Sequence, residues 1–266
     1  MNPVSSSNNN GGRPVKSLVK ALRILDVLGD SEGGLGVTVL SHALKAPKST
    51  VHRLLATLKA EGYIGIHPGT SRYILGSRVA KWGDQLSNQS PLLRFGAPML
   101  ERLTQESGET SYLAMLEGIE VALLAREESK GFLRISIGMG YRTPAHCTAL
   151  GKACLSCLSD AEILKLYKNK RKLQQFTPNT ITNIEDLLAE LAAVRRDGIA
   201  FDDEEYVADV RCISASIKDP AMRVLAAVTI ATTKRRMTAE RRAFFKGILL
   251  QASSELSEKL GYRRIG

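Results

Sequence analysis

Residues 37–75 read VTVLSHALKAPKSTVHRLLATLKAEGYIGIHPGTSRYIL and carry the strongest structural signal in the chain. The spacing of the apolar residues predicts a short helix over residues 37–44 and a second helix over Lys48–Ala60. A tight turn at residues 45–47 separates them, and Pro47 suits the first position of a helix, where its missing N–H loses no partner. The stretch therefore predicts two helices joined by a tight turn.

A predicted hairpin follows the second helix. Residues 62–64 begin a strand, residues 67–71 (HPGTS) contain the turn, and residues 72–75 return as a second strand, with Arg72 near the tip. Two helices and a hairpin in this order predict a winged helix–turn–helix domain.

The second helix has one apolar face and one face of small side chains. Its predicted buried stripe contains Val51, Leu54, Leu55 and Leu58, at the i, i+3, i+4, i+7 spacing. At about 100° per residue, the opposite side carries Ser49, Arg53, Ala56 and Ala60, with Thr50 and His52 on its flanks. Small side chains around one arginine let a helix enter the major groove of DNA, where the guanidinium can bond O6 and N7 of guanine.

The positive charge of the chain is concentrated near this stretch. The 266 residues have a formal net charge of +10, and residues 1–84 contribute +6 of it from 11 basic and 5 acidic side chains. Between residues 33 and 83, seven basic side chains accompany one acidic residue, Glu61. Solvated helix faces usually interleave both signs, so this distribution indicates an anionic partner such as double-stranded DNA.

The composition excludes several classes of protein. Apolar residues make up 44% of the chain, which is enough for a packed core. No stretch approaches the roughly 18 apolar residues of a membrane span, and no apolar signal segment begins the chain. Four cysteines do not make a disulfide scaffold, so we expect a cytoplasmic protein without a membrane partner. No phosphate loop, nucleotide fingerprint or H-E-x-x-H motif is present, so no cofactor is expected.

The first predicted helix has an unusually wide apolar face. Residues 1–14 are rich in Ser, Asn and Gly and predict a disordered arm, after which Ser17 is the expected N-cap of a helix. Leu18, Leu22, Leu25 and Leu28 form its stripe, and Ile24 and Val27 widen it. The helix is therefore either a fully covered core helix or one that also packs on a second subunit.

The polar break at residues 87–91 divides the chain. We predict a winged helix–turn–helix domain over residues 15–76, a linker helix over 77–90 and an α/β domain over 91–266. In the last, the patterns predict a hairpin of residues 111–116 and 120–126, strands at 133–137, 199–206, 211–218 and 224–232, and helices at 148–158, 184–196 and 238–260. The fold class is thus α+β.

Five segments of the sequence resemble the isocitrate lyase regulator (IclR) family of bacterial transcription factors. They are SLVKALRILDVL, STVHRLLATLKAEGYI, SRYILGSRV, GYRTPAHCTALGKACLS and DDEEYVADVRCISASIKD, and the resemblance runs through residues 15–260 without large gaps. It implies a winged helix–turn–helix, a linker helix and a GAF/PAS-like mixed α/β effector-binding domain. It also implies homodimers or homotetramers on palindromic operators, with recognition helices in successive major grooves.

The resemblance also implies a small-molecule effector site between the TALGKA helix, the DDEE strand and the last two strands. Its lining would include Ala149, Leu150, Asp202, Cys212, Thr229 and Ala231. The backbone amides of residues 149–151 would bind an anion, Thr229 would offer a hydroxyl, and Leu150, Met115 and Met139 would form an apolar wall. The resemblance implies a serine at both positions matching Thr229 and Ala231 in family members that bind very small keto acids. The pocket is therefore expected to be less polar here and to suit a bulkier or aromatic ligand, unless both are ordinary strand residues.

Other constellations give weaker signals. Cys147 beside His146 suggests a nucleophile, but sequence neighbours rarely orient into a dyad, so a buried cysteine and no catalytic residue are expected. Cys154 and Cys157 form a single C-x-x-C where structural zinc needs four ligands, so no metal is expected. The basic run at residues 168–172 (KNKRK) indicates a solvated loop, and the acidic run at residues 202–205 would by itself indicate a solvated face.

The sequence thus predicts a ligand-responsive DNA-binding regulator. Phosphate contacts are expected from Lys16, Lys48, Ser49 and Arg72, and base readout from Arg53 with Thr50 and His52. Repression of a catabolic operon in response to a small organic acid or aromatic metabolite is the favoured function. A transcriptional activator of the same family and a non-specific architectural DNA-binding protein are the alternatives.

Overall fold

The computed structural model describes residues 14–262 apart from Glu32, 131–140, Asn169, Arg171 and 220–223. The chain divides into two compact units, with the boundary between Leu86 and Ser87. The predicted strand at residues 133–137, Met139 and nearly all of the predicted arm lie outside the described residues.

The first unit contains three helices and a hairpin. Its elements are α1 (Lys16–Gly29), α2 (Val37–Ala43), α3 (Lys48–Ala60), β1 (Ile64–Ile66), β2 (Tyr73–Leu75) and the start of α4 (Ser77–Gln89). The strands are antiparallel, with Ile64 opposite Leu75. The predicted winged helix–turn–helix is therefore confirmed.

The core of the first unit lies between its three helices and the hairpin. Ile24 from α1, Leu40 from α2, and Val51 and Leu55 from α3 are fully buried. The bounds of α3 are those that the sequence predicts. The position of Pro47 was predicted wrongly, because its ψ of 143° is extended and it stands one residue before the helix as the N-cap.

The first helix begins earlier than expected, and part of its apolar face is exposed. Ser17 is not the N-cap: α1 starts at Lys16, and Val15 precedes it without a side-chain cap. Ile24 and Leu28 are buried, whereas Leu18 is 57% and Leu22 is 53% exposed. Within the described part of the chain, α1 is therefore not a fully covered core helix, so that alternative is wrong.

The second unit is a mixed α/β domain. Its helices are α5 (Pro91–Ser107), α6 (Ala149–Leu155), α7 (Asp160–Leu166), α8 (Ile184–Asp197) and α9 (Ala239–Lys259). Its strands are β3 (Thr110–Glu117), β4 (Glu120–Glu127), β5 (Arg142–Pro144), β6 (Ala200–Asp203), β7 (Val210–Lys218) and β8 (Val224–Thr233), and short 3₁₀ turns stand at Ala145–Cys147 and Lys234–Arg236. The described strands form one antiparallel sheet in the order β5-β4-β3-β8-β7-β6.

Helices cover both faces of this sheet. Every second side chain of β7, namely Ile213, Ala215 and Ile217, points to one face of the sheet. There these side chains pack with Phe245 and Leu249 of α9 and with residues of α5. On the other face, α6, α7 and α8 pack over residues of β3, β4, β6 and β8. The arrangement confirms the predicted α+β fold class, in which the second unit is a mixed α/β domain.

Most predicted elements of the second unit are observed within a few residues. The predicted strand at 199–206 ends at Asp203, because Glu204 has a φ of 62° and leaves the sheet. The predicted helix at 148–158 runs only from Ala149 to Leu155, with Thr148 as its N-cap. The sequence patterns did not predict α5, α7 or β5.

Gly151 fixes how closely α6 packs on the turn before it. A Cβ built on this residue would overlap the backbone of Ala145. The first turn of α6 therefore lies directly against the Ala145–Cys147 turn, which only a glycine permits.

Candidate DNA-binding surface and effector site

The solvent-facing side of α3 carries the predicted base-reading residues. Lys48, Ser49, His52 and Arg53 are exposed, and Thr50 is half-buried. Arg53 stands in the second turn of the helix, with exposed Ala56 three residues further on. The face is thus a single arginine among small side chains, as a helix entering the major groove requires.

The cations of this unit are mostly unpaired. Lys48, Arg53 and Arg72 form no ion pair with any residue that the structure describes, whereas Arg78 bonds the Glu61 carboxylate through Nη1 at 3.3 Å. Glu61 therefore offsets Arg78 and leaves the other cations free for phosphate oxygens.

The hairpin and the start of α1 present two further predicted contacts. Arg72 is exposed immediately before β2, where its carbonyl accepts a hydrogen bond of 2.8 Å from the N–H of His67 and closes the turn. Lys16 is exposed at the first residue of α1. Both side chains reach solvent, as phosphate contacts must.

The beginning of α4 is attached to the base of the hairpin by contacts that the sequence did not reveal. The rings of Tyr63 and Trp82 meet edge to face, with centroids 5.0 Å apart. The Arg78 guanidinium lies 5.3 Å from the Tyr63 ring and donates to the backbone carbonyl of Glu61 at 2.9 Å. These contacts hold the first turns of the predicted linker helix on the first unit.

Four of the six predicted effector residues lie on one face of the sheet of the second unit, and the other two belong to α6, which covers that face. Asp202 pairs with Cys212, which pairs with Ala231, in one row across β6, β7 and β8. Thr229 lies two residues from Ala231 and therefore points to the same face, which α6 covers with Ala149 and Leu150 in its first turn. Ala149, Leu150, Asp202, Thr229 and Ala231 are buried, and Cys212 is partly buried.

Several details of the predicted site are wrong. The Thr229 hydroxyl donates to the Ile213 carbonyl at 2.8 Å, so it is not free to donate to a ligand. The Gly151 amide donates to the Thr148 hydroxyl at 3.2 Å, so the anion cradle loses one of its three predicted donors. Met115 cannot form the apolar wall, because it points away from the face of its neighbours Ala114 and Leu116 and is 36% exposed.

Asp202 is a buried carboxyl group. It accepts a hydrogen bond of 2.8 Å from the Glu205 amide. Burial raises the pKa of Asp202 to about 7, and the nearby Glu205 charge adds to this, while the amide hydrogen bonds and Lys152 oppose it. Asp202 therefore exchanges a proton near neutral pH.

A buried ion pair beside this site was missed by the sequence analysis. Lys152 is 1% exposed, and its Nζ lies 2.6 Å from Glu205 Oε1 and 3.1 Å from Glu190 Oε1. Glu205 is itself buried, and its Oε2 has no hydrogen-bond partner among the described residues. The only signal in the sequence was a lone charge in the otherwise uncharged helix ALGKACL.

Two buried hydroxyls on this side of the sheet were also missed. Tyr167 Oη and Ser214 Oγ have no partner in the described part of the chain, and both residues are buried. Tyr167 packs in the same core cluster as Leu150 and Ala231, and Ser214 pairs with Thr229. Buried polar atoms without partners are rare in folded proteins, so these two hydroxyls are unused hydrogen-bonding groups beside the predicted site.

The acidic run at residues 202–205 is not a uniform solvated face. Asp202 and Glu205 are buried, whereas Asp203 and Glu204 lie toward the surface, where Glu204 bonds Lys234 at 2.8 Å. The turn after Asp203 thus divides the run into two buried and two outer carboxylates.

The catalytic and metal alternatives lack the necessary geometry. Cys147 is fully buried as predicted, and burial raises the pKa of its thiol far above neutrality. The ring of His146 bonds the Gln174 carbonyl through Nε2 at 2.9 Å rather than orienting a nucleophile. Cys154 and Cys157 are free thiols, and no group of three or more potential metal ligands occurs among the described residues. In the predicted solvated run KNKRK, the three described side chains are exposed, namely Lys168, Lys170 and Lys172.

None of the described helices has the length and apolar character needed to cross a bilayer.

A winged helix–turn–helix whose Lys48, Arg53 and Arg72 have no ion partner among the described residues, joined to an α/β domain with a buried polar site, is typical of DNA-binding transcriptional regulators. The IclR helix-turn-helix domain matches residues 17–65, and the C-terminal domain of the bacterial transcriptional regulator IclR matches residues 85–258. The chain therefore belongs to the IclR family and is a DNA-binding transcriptional regulator, not an enzyme.

Individual relatives agree with this assignment. The HTH-type transcriptional regulator XynR of Escherichia coli is 32% identical over 248 residues, which cover 93% of this chain and 98% of that protein. The transcriptional repressor IclR of the same organism is 30% identical and covers 94% of this chain and 92% of its own length. The crystal structure of Thermotoga maritima IclR superimposes with a TM-score of 0.77 at 26% identity, covering 92% of this chain and 99% of that one.

Proposed function

We propose that the protein is a ligand-responsive repressor of a catabolic operon and binds a palindromic operator. The observation that carries this proposal is the exposed face of α3, where Arg53 stands among small side chains and has no ion partner in the described part of the chain. Repression is supported by the relatives that are named repressors, such as the transcriptional repressor IclR of Escherichia coli.

The proposed DNA contacts divide into two kinds. Lys16, Lys48, Ser49 and Arg72 bind phosphates and fix the orientation of the domain, because phosphate contacts carry no sequence information. Arg53, with Thr50 and His52, reads base edges in the major groove. In this proposal the DNA-binding domain comprises residues 15–76, residues 77–90 form the linker helix, and residues 91–266 form the effector-binding domain.

The proposed assembly is a homodimer, or a homotetramer made of two dimers. The exposed apolar residues Leu18, Val19 and Leu22 of α1, together with Val15 just before it, support a second subunit packed on this helix. A two-fold dimer presents two copies of α3 to half-sites about one helical turn apart, so the operator is an inverted repeat.

The proposed effector is a small organic acid or an aromatic metabolite. It binds on the α6 side of the sheet, against Ala149, Leu150, Asp202, Cys212, Thr229 and Ala231. Thr229 and Ala231 leave little polar surface on β8, which favours a ligand with an apolar body. Effector binding changes the separation of the two copies of α3 through the linker helix, and the operator is released.

Selection of binding sites from a random-sequence duplex library tests the DNA-binding part of the proposal. The expected product is an inverted repeat with half-sites about 10 base pairs apart, centre to centre. Enrichment of no consensus sequence would instead identify a non-specific architectural protein.

Replacement of Lys48 by alanine is expected to reduce the salt dependence of operator binding. Loss of one phosphate contact lowers the slope of log K against log salt by about one unit. The measurement is fluorescence anisotropy over a series of salt concentrations, with Lys165→Ala, an exposed lysine of the second unit, as the matched control. An unchanged slope in Lys48→Ala would remove Lys48 from the interface.

A further inference from the structure

The proposed effector site contains more buried acid than buried base. Asp202 and Glu205 are both more than nine-tenths buried, and Lys152 is the buried cation beside them. Lys152 is already shared, since its ammonium bonds Glu205 and Glu190. An ionised organic acid that entered this site would face two carboxylates and one neutralised cation.

We propose that the site accepts an organic acid only together with a proton, which Asp202 takes from solvent as the ligand binds. This inference rests on the proposed effector function. In the bound state the carboxyl O–H of Asp202 donates to the ligand carboxylate. One O–H bond forms on the Asp202 carboxylate and one O–H bond breaks in the solvent hydronium ion that supplies the proton; no other covalent bond changes.

The described groups around Asp202 supply no free positive charge to balance an anionic ligand, so a proton on Asp202 takes this role. From β7, Cys212 stands opposite it in the sheet, and from the Ala145–Cys147 turn the Cys147 thiol lies near enough to be affected by its charge. Burial raises the pKa of both thiols, so both are neutral near pH 7. From α6 comes Lys152, and from the turn after β6 come the Glu205 carboxylate and the backbone N–H groups of Glu205 and Tyr206.

The balance of charges in the site favours uptake of a proton by Asp202 when a carboxylate ligand binds. With Asp202 ionised, a carboxylate ligand would be the third anion beside one ammonium, and buried unpaired charges cost several kcal/mol each. With Asp202 protonated, the ligand meets a hydrogen-bond donor instead of a like charge. Because burial has already brought the pKa of Asp202 to about 7, protonation at neutral pH costs little.

The second buried carboxyl group is a poorer proton acceptor. Burial raises the pKa of Glu205 as well, but its Oε1 accepts a hydrogen bond from Lys152 at 2.6 Å, and this contact opposes the rise by favouring the ionised form. Asp202 forms no such contact with a cation among the described residues, so the proton is assigned to Asp202.

Operator release by defined acids at several pH values tests the proposal. The probes are pyruvate, benzoate and 4-hydroxybenzoate, with benzamide and 4-hydroxybenzamide as uncharged analogues. Release of the selected operator from the full-length protein is followed by anisotropy between about pH 6 and pH 8, with ligand-free binding measured at each pH. For an acid that releases the operator, the half-release concentration is expected to rise by up to about tenfold per pH unit above pH 7, and to stay constant for its amide.

Two variants separate Asp202 from the rest of the protein. In Asp202→Asn the side-chain amide donates at every pH, so the pH dependence of release is expected to vanish. In Asp203→Asn, which alters the outer neighbour on the same strand, the pH dependence is expected to remain as in the wild type. The two variants keep the DNA-binding unit unchanged, so any effect of pH on DNA binding by that unit appears equally in both.

The outcomes distinguish this inference from the proposed function. An acid that releases the operator equally well across the pH range overturns proton uptake and leaves the sensing of acids intact. Persistence of the pH dependence in Asp202→Asn also overturns it, by assigning the proton elsewhere. If neither the acids nor the amides release the operator at any pH, the proposal that the protein senses organic acids is rejected, and the proposal of proton uptake is rejected with it.

Discussion

Replacement of Lys152 by methionine is expected to lower the free energy of unfolding of the second unit by about 3–5 kcal/mol. Methionine fits the space of the lysine stem, so packing is largely kept. The loss arises because Glu205 then remains buried without its cation, and its Oε2 already lacks a partner among the described residues. A buried, unpaired carboxylate must be protonated or hydrated, and either process favours the unfolded chain.

Urea unfolding monitored by circular dichroism measures this effect. The double variant Lys152→Met with Glu205→Gln removes both charges, and we expect it to recover part of the loss, because a neutral amide is cheaper to bury. Glu190→Gln serves as the control, since the Glu190 side chain is 36% exposed and its pairing with Lys152 is worth about 1 kcal/mol or less. A loss of under about 1 kcal/mol in Lys152→Met would mean that Glu205 reaches water and that the site is more open than its burial indicates.

Local sequence patterns predicted the elements whose signals are complete within a few turns. The helix α3 has an apolar stripe, a preceding turn and polar flanks, all within residues 45–60, and its bounds were predicted correctly. The strands β7 and β8 and the helix α8 were likewise predicted within one residue, because each has an uninterrupted pattern.

The missed helices lack such a pattern for physical reasons. Pro98 lies in the interior of α5, and a proline inside an apolar pattern normally marks the end of a helix. The helix α7 has only seven residues, too few for a period to be visible, although Ser159 and Glu162 form a capping box at its start. In α1 the periodicity identified the apolar side correctly but did not show how much of it the same subunit covers.

The effector site shows where sequence information ends. The resemblance to a known family selected four strand residues that the sheet register places on one face, and two residues of α6, the helix that covers this face. It did not select Lys152 and Glu205, which are 53 positions apart in the chain and meet only because α6 packs over β6 and β7. Burial decides the chemistry of both, and burial is a property of the packed fold that residue types alone do not specify.

Replacement of Arg53 by alanine is expected to abolish discrimination at one base pair of each half-site. A bidentate contact between arginine and guanine is worth about 1–3 kcal/mol against the wrong base, which corresponds to about a 5–150-fold loss of preference. The exposed position of Arg53 and the small neighbours Ser49 and Ala56 allow its guanidinium to reach the base edges. Binding to random duplex is expected to change much less, because it depends on phosphate contacts.

The variant Arg53→Lys separates base readout from simple charge. Lysine keeps the positive charge but lacks the planar fork that matches O6 and N7 of guanine, so we expect most of the discrimination to be lost in this variant as well. Competition between the selected operator and derivatives with single base-pair changes gives the measurement, and Lys48→Ala supplies the contrasting pattern of a phosphate contact. If Arg53→Ala weakened operator and random duplex equally while Arg53→Lys retained both affinities, Arg53 would be a phosphate contact. Base readout would then fall to the remaining residues proposed for it, Thr50 and His52.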